Sequence, residues 1–260
     1  MIAALLLAAV VAAPAVPAAV SSPARAVAPG LIDVAPDLQV RPLRPGVWLH
    51  TSWKKLEDGT PFPSNGLLVK DGRELLLVDT AWGEGPTSEL LRWIDLTLKL
   101  PVRRAVVTHF HDDRTGGLSL LAARGVRVYA HPLTLGLVPA ADRARLTPLA
   151  GLSSAGGEVS TVGPLEVFYP GPAHSRDNVV VWVPSARVLF GTCATRAADA
   201  TSLGNVADAD VPEWPESIRR VLERYPRAAV VVPGHGDPGG VELLRHTLEL
   251  LGSAPGATTK

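Results

Sequence analysis

The sequence has little cysteine, no excess charge of either sign and no apolar run that matches a membrane span. It has 260 residues with one cysteine, and its 25 basic and 25 acidic residues leave a net charge of zero. A single cysteine excludes a disulfide bond within the chain, and the neutral balance argues against nucleic acid as a partner. The apolar stretch at residues 1–13 is shorter than the roughly 20 residues that a membrane-spanning helix needs.

The beginning of the chain predicts a secretory signal instead. The apolar stretch runs into prolines, and Ala24-Arg25-Ala26 has the small-x-small pattern of a cleavage site. The basic residues that usually open such a signal are missing, and an uncleaved tail is the alternative. We expect residues 1–26 to be a signal peptide and residues 27–260 to form one exported domain of two similar halves, periplasmic and without a membrane anchor.

The stretch around which the chain is organised is His-Phe-His-Asp-Asp-Arg-Thr-Gly-Gly, beginning at His109. It follows the apolar run 105–108, which predicts a buried strand, and it precedes an apolar segment that predicts a helix. Because alternate residues of an extended chain point the same way, His109 and His111 can face one point, and Asp113 can join them as the chain turns. Two imidazoles and a carboxylate predict a site for zinc or a similar metal. The alternative is a pair of solvent-facing histidines.

Three more potential ligands follow downstream, each at the predicted end of a strand. They are His174, Cys193 and His235. Functional groups at strand ends are where enzymes built on sheets place their sites. An exported protein needs a reason to keep one unpaired thiol, and metal coordination is such a reason. A small buried apolar side chain is the alternative for Cys193.

Four motifs, HxHxDRxGG, GxxHSxDN, GTC and PGHG, occur in this order from about residue 46 to about 251. Together they resemble the subclass B1 metallo-β-lactamases. The segment beginning at Gly204 resembles the Verona integron-encoded (VIM) type most closely. The resemblance implies an α/β fold, the four-layer αβ/βα sandwich, with metals at one edge. It also implies a monomer that binds small-molecule β-lactams.

By the same resemblance, two zinc ions share the six ligands. His109, His111 and His174 would hold one zinc, and Asp113, Cys193 and His235 would hold the other. The implied reaction is attack of a metal-bound hydroxide on the β-lactam carbonyl of penicillins, cephalosporins and carbapenems, giving antibiotic resistance. Asp113 and Asn205 are the implied catalytic residues, Asn205 as an amide donor to the oxyanion. A turn residue after Gly204 is the alternative for Asn205.

Further substrate-binding residues are expected around the metals. Arg196 lies three residues after Cys193 and is the candidate partner of the substrate carboxylate. Trp82 follows a predicted strand, and Trp53 and Phe62 lie in a predicted hairpin-like loop, 53–65. The resemblance implies that Trp82 lies beside the active site and that this loop covers the substrate. Ordinary packing of aromatic side chains in a turn is the alternative.

Four charged residues are expected to support the ligands. They are Asp79, Arg114, Asp177 and Asp208. Carboxylates that hydrogen-bond ligand histidines orient them and are worth roughly 10–100-fold in metal affinity or activity. Surface salt bridges or a cap of the next turn are the alternatives. His50 is predicted to be an ordinary strand residue, and His131 and His246 are predicted to face solvent.

Two other functions remain open. Glyoxalase II-like thioesterases and lactonases share the fold, but they usually have a histidine where this chain has Arg114 and an aspartate where it has Cys193. A zinc-binding exported protein without catalysis would need the ligands without an open coordination position. The substrate loop, Asn205 and Arg196 argue against that reading.

Overall fold

The computed structural model describes residues 30–253, and the predicted signal peptide lies outside them. Within this part the chain forms an eight-stranded and a five-stranded sheet. The first sheet contains β1 (Ile32–Ala35), β2 (Leu38–Arg44), β3 (Val47–Lys55), β4 (Pro61–Asp71), β5 (Glu74–Val78), β6 (Val102–Val107), β7 (Arg127–Ala130) and β8 (Leu146–Pro148). The second contains β9 (Glu158–Val162), β10 (Leu165–Tyr169), β11 (Val180–Val183), β12 (Val188–Thr192) and β13 (Val230–Pro233).

The first sheet changes direction at β5. Strands β1 to β5 pair antiparallel through short turns, whereas β5 to β8 pair parallel. The second sheet has the order β13-β12-β11-β10-β9 and is antiparallel except for the β12–β13 pair. Parallel strands end at the same edge, so the segments after β5, β6, β12 and β13 can meet there.

Helices cover the outer face of each sheet. Their bounds are α1 (Glu84–Trp93), α2 (Asp112–Thr115), α3 (Leu118–Ala123), α4 (Thr134–Leu137), α5 (Ala140–Arg143), α6 (Trp214–Arg224) and α7 (Glu242–Ser253). Helix α1 continues directly into five π-helical residues, Ile94–Leu98. No helix in the part described here is long and apolar enough to cross a membrane.

Three separate apolar layers confirm the predicted α/β four-layer sandwich. Inward-facing residues of both sheets, such as Leu49, Val106, Val181 and Phe190, pack against one another in the central layer. A second layer lies between the first sheet and helices α1 and α3. The third lies between the second sheet and helices α6 and α7, around the fully buried Trp214. Each sheet is therefore buried on both faces, which explains the continuous apolar runs of its central strands.

Several local predictions were wrong. The segment 53–65 does form the predicted hairpin, but it is mostly strand and not loop, because β3 and β4 pair through Lys55 and Pro61 and only residues 56–60 form the turn. The proline-, glycine- and serine-containing segment 139–157, which its composition would favour as a linker between the halves, contains β8, which pairs with β7 and completes the first sheet. His131 does not face solvent: its ring is buried, accepts a hydrogen bond from the Leu133 amide and bonds to the Ser153 carbonyl. His246 is only partly exposed and bonds to the Ala200 carbonyl.

Candidate metal centre

The six potential ligands lie on four segments that follow strands. His109, His111 and Asp113 follow β6, with Asp113 in the first turn of α2. His174 follows β10, Cys193 follows β12 and His235 follows β13. The first three residues come from the first half of the chain and the last three from the second half. The two sheets therefore bring the ligands together at one edge of the sandwich.

The three histidines His109, His111 and His174 converge through one nitrogen atom each. The Nδ1 atom of His111 lies 3.1 Å from Nε2 of His109 and 3.1 Å from Nε2 of His174. Burial lowers the pKa of His109 well below its usual value and that of His174 to about 3, with neighbouring positive charge adding to the effect. These two imidazoles are thus neutral at physiological pH, and the neutral ring is the form that binds metals.

Asp113, Cys193 and His235 form the adjoining group. The Sγ atom of Cys193 lies 3.1 Å from Nε2 of His235 and 3.9 Å from Oδ2 of Asp113. The His235 ring lies 3.6 Å from the same carboxylate oxygen, and all three ligand atoms lie within 4.8 Å of one another. Burial raises the pKa of the Cys193 thiol to about 12, although nearby Arg114 opposes the effect. A metal ion reverses this, because coordination deprotonates a thiol outright.

These residues fit metal ions. Nitrogen ligands about 2.0–2.1 Å from one tetrahedral ion stand slightly more than 3 Å apart, close to the separations among the three histidines. Overlapping groups of three potential ligands also join His109 to Asp113 and to Cys193, so the two sites adjoin. Neutral imidazole, carboxylate and thiol groups form a donor set suited to zinc. This convergence disagrees with the alternative of solvent-facing histidines, and it places the buried Cys193 beside two other potential ligands.

The outer nitrogen atoms of the ligand histidines differ in their contacts. His111 Nε2 lies 2.9 Å from an Asp208 carboxylate oxygen, and His235 Nδ1 lies 2.6 Å from the Pro63 carbonyl. Asp208 therefore reaches a ligand ring. Asp177 is placed differently from the prediction. Its carboxylate accepts a 2.6 Å hydrogen bond from Thr134 in α4, so it joins the two halves without a hydrogen bond to a histidine ring.

Arg114 lies beneath the centre and is fully buried, which excludes a surface salt bridge. Its guanidinium lies 2.8 Å from the Asp113 carboxylate, 3.3 Å from Asp79 and 3.0 Å from the Cys193 sulfur. Asp79 in turn accepts 2.7 Å hydrogen bonds from the amide and the hydroxyl of Thr108, directly before His109. Burial raises the pKa of Asp79, and the Arg114 charge opposes that rise. Arg114 therefore joins the two acids to the thiol.

Two residues of β4 that the sequence did not single out also touch this network. The Ser64 hydroxyl lies 3.4 Å from the Asp113 carboxylate. The Asn65 side-chain amide donates to the carbonyls of Pro233 and Gly236 at 3.0 and 2.7 Å, on either side of His235. The sequence does carry one signal, the polar pair Ser64-Asn65 just before the apolar run of a buried strand. Buried polar groups need hydrogen-bond partners, so such a pair predicts contacts with other segments.

Comparison with known proteins agrees with this arrangement. A family model described as the metallo-beta-lactamase superfamily matches residues 59–235. The chain belongs to the metallo-β-lactamase superfamily. It is 40% identical over 214 residues to a metallo-beta-lactamase type 2 of Bacillus cereus, a match that covers 82% of each chain. The resemblance to metallo-β-lactamases is thereby confirmed, and the family supports a metal-dependent hydrolase.

Solved metallo-β-lactamase structures share the fold. One from Erythrobacter litoralis is 35% identical, with a TM-score of 0.79 over 86% of this chain and 100% of that chain. FIM-1 from Pseudomonas aeruginosa, solved in a mono-zinc form, is 37% identical, with a TM-score of 0.76 over 83% of this chain and 95% of that one.

Aromatic side chains border the candidate metal centre on the side of β4. The Phe62 ring centroid lies 4.8 Å from that of His235 and 6.4 Å from that of Trp82. Lys54 lies 5.1 Å above the Trp82 ring and forms a 2.8 Å ion pair with Asp112. The hairpin of β3 and β4 is thus attached to the segment that carries two ligand histidines.

Trp53 does not join Phe62, contrary to the prediction. It pairs with Pro63 across the hairpin, whereas Phe62 pairs with Lys54, and neighbouring residues of a strand face opposite sides. Trp53 lines a separate cavity of about 490 Å³ with Arg41 and Asn65. The Phe62 ring therefore lies beside the ligands, whereas the Trp53 side chain lies on the other face of the hairpin.

Arg196 and Asn205 lie on adjoining loops. The Arg196 guanidinium packs against Gly204, where a Cβ atom would lie 3.1 Å from its Nη2 atom. Burial lowers the pKa of Arg196, and its buried Nε atom has no hydrogen-bond partner. Asn205 is exposed, and its side-chain oxygen accepts a 3.0 Å hydrogen bond from the Ala207 amide. The side-chain oxygen of Asn205 thus stabilises a turn, as the alternative expected. Its side-chain nitrogen is left as the donor to a substrate.

Proposed function

We propose that this protein hydrolyses the β-lactam amide bond of penicillins, cephalosporins and carbapenems, and so confers antibiotic resistance. The convergence of six ligands that include a buried cysteine supports this proposal most directly. The finer assignments belong to the proposal: subclass B1, resemblance to the VIM type, and a monomeric enzyme. Glyoxalase-type hydrolysis receives less support, because Arg114 and Cys193 contact each other at the positions where those relatives differ.

Two zinc ions are proposed as the cofactors. His109, His111 and His174 would hold one ion, and Asp113, Cys193 and His235 the other, each group with room for a further ligand. Bound zinc would supply Lewis acidity and a water molecule whose pKa is lowered to about 7. Burial lowers the pKa of His109, His174 and His235, which favours the neutral imidazole that binds metal, and Arg114 holds the Asp113 carboxylate.

The remaining residues would position the substrate. The cationic side chain of Arg196 would attract the carboxylate that accompanies the β-lactam nitrogen, and the Asn205 amide would donate a hydrogen bond to the developing oxyanion. A well-aimed donor of this kind is worth about 3 kcal/mol. Phe62 and Trp82 would cover an apolar face of the substrate, since both rings lie beside His235. Burial of Arg196 strengthens its attraction because water screens it less.

The proposal includes the cellular setting. Residues 1–26 would direct export and be removed, and residues 27–260 would act as one domain in the periplasm. N-terminal sequencing of the protein recovered from the periplasmic fraction tests this: a mature chain that begins at Val27 is expected. Recovery of the uncleaved chain in the cytosol would contradict it.

The decisive experiment is hydrolysis of a carbapenem by residues 27–260 with added zinc, after chelation, and beside a Cys193→Ser variant. Turnover that needs zinc and collapses in the variant is the expected result. Metal binding without any turnover would instead favour another substrate, and thioesters and lactones would be tested next. Zinc content, measured by mass spectrometry of the metal-loaded protein, tests the proposed two ions per chain against one.

A further inference from the structure

The tip of the β3–β4 hairpin extends beyond the strands on either side of it. Strand β2 pairs with β3 as far as Ser52, and β5 pairs with β4 from Leu67 onward. The strand residues of the tip, 54–62, pair across the hairpin, and the turn at 56–60 is closed by its own backbone hydrogen bonds. A two-stranded ribbon is only marginally stable by itself in water. The position of the tip therefore depends on side-chain contacts with the rest of the protein.

Two side chains on one face of the tip make such contacts. Lys54 and Phe62 are directly opposite each other across the hairpin, so their side chains share a face. The Phe62 ring packs beside Trp82 and His235. The Lys54 ammonium lies 5.1 Å from the centroid of the Trp82 ring and 2.8 Å from the Asp112 carboxylate. The face that carries the ring beside the ligands thus also carries a cation that reaches the ligand segment.

Asp112 is suited to be the partner of this cation. It lies between His111 and Asp113, but its side chain is 66% exposed, whereas Asp113 is buried among the ligands. Lys54 can therefore reach an anion on the outer side of the ligand segment without competing for a metal. Exposed ion pairs add little to the stability of a fold, so we expect the pair to affect mainly the position of the hairpin tip.

We propose that Lys54 is a positioning residue that holds the Phe62 side of the hairpin tip beside the metal centre, through Asp112 and Trp82. Without the ammonium group, the tip would spend less time in this position. The apparent affinity for a substrate that contacts Phe62 would fall in proportion to the population that is in place. The effect on substrate rests on the proposed function, whereas the effect on the tip does not.

Lys54→Met tests the ammonium group, because it keeps an unbranched apolar side chain of similar length against Trp82. With zinc-loaded protein, KM for a carbapenem should rise about two- to fivefold at low salt, the range expected for an exposed ion pair. The value of kcat should not fall, because Lys54 contacts no ligand. The difference from wild type should shrink between about 0.05 M and about 0.5 M salt, because ions screen exposed charges. Lys54→Arg retains the cation and should keep KM near the wild-type value.

Lys55→Met is the matched control. It removes the same charge from the same hairpin, but neighbouring residues of a strand face opposite sides, so Lys55 faces away from Asp112. Its KM should stay near the wild-type value. An equal rise of KM in both variants would mean that cations of the hairpin only attract an anionic substrate, and it would overturn the inference.

NMR relaxation of backbone ¹⁵N nuclei tests the same inference without a substrate. Order parameters and relaxation dispersion, which report fast and slow motion respectively, should show more motion of residues 54–62 in Lys54→Met than in wild type or Lys55→Met. Unchanged relaxation in Lys54→Met would overturn the inference whatever the kinetics. If the wild-type protein hydrolyses no β-lactam, the proposed function fails, while increased motion in Lys54→Met would still support the positioning role.

Discussion

Asn65→Asp tests whether β4 holds the His235 segment in place. The replacement keeps the shape of the side chain but removes the two N–H donors that reach Pro233 and Gly236. Carboxylate oxygens would then face two carbonyl oxygens. A buried acceptor left without its donor costs about 1–3 kcal/mol. Pro233 is buried and Gly236 only partly so, and we therefore expect a combined loss of about 2–4 kcal/mol in the free energy of unfolding.

The same change should weaken zinc binding. His235 lies between the two carbonyls that Asn65 holds, and groups that orient a ligand are worth roughly 10–100-fold in metal affinity. Urea unfolding of the metal-free protein would measure the stability, and zinc titration against a competing chelator would measure the affinity. Both quantities should change together.

Thr51→Val is the matched control. It removes the 2.8 Å hydrogen bond from the Thr51 hydroxyl to the Asn65 side-chain oxygen and leaves both bonds to the His235 segment. Its effect on stability should stay near about 1 kcal/mol, the net worth of one hydrogen bond, with zinc affinity unchanged. Unaltered zinc affinity in Asn65→Asp, or equal losses in both variants, would refute the reasoning.

Three further changes test charged and titratable side chains. Arg114→Met leaves the carboxylates of Asp79 and Asp113 buried without their cation and should lower the free energy of unfolding by about 3–5 kcal/mol, as measured by denaturant titration; a loss below about 1 kcal/mol would contradict this. Burial lowers the pKa of His50 from 6.5 to about 4. As the pH falls, the unfolded chain therefore takes up this proton before the folded one, and the free energy of unfolding should fall between about pH 6.5 and pH 4. His50→Gln should reduce this slope by up to about 1.4 kcal/mol per pH unit, and identical pH profiles would count against it. Asp208→Ala should weaken zinc binding by about 10-fold or more without changing the melting temperature of the metal-free protein. Unchanged zinc affinity in a chelator titration would show that the contact between Asp208 and His111 does not support metal binding.

The sequence was informative where the chemistry of a residue type depends little on its surroundings. Histidine, aspartate and cysteine after apolar runs predicted a metal centre, because strand ends gather at one edge whatever the details of the loops. The family resemblance implied the sandwich of two sheets, and apolar runs predicted the strand before His109 and the helix that follows the motif. These features depend on local pattern and on general rules of packing.

Residues whose contacts lie far along the chain were not predicted. Asn65 and Ser64 look like ordinary polar strand residues, and only the tertiary fold shows that they face Gly236 and Asp113. Trp53 was placed on the wrong side because the hairpin register, which decides the face, depends on the turn at residues 56–60. His131 looked exposed because nothing local indicated that the distant Ser153 carbonyl would cover its ring.

The equal division of ligands between the two halves has a consequence for the molecule as a whole. A metal ion held by Asp113 from one half and by Cys193 and His235 from the other would cross-link the two halves of the sandwich. Neither half could then separate from its partner without releasing the ion, and a ligand at about 1,000 times its dissociation constant adds about 4 kcal/mol to stability. Zinc supply would set how long the protein survives, as well as how fast it works.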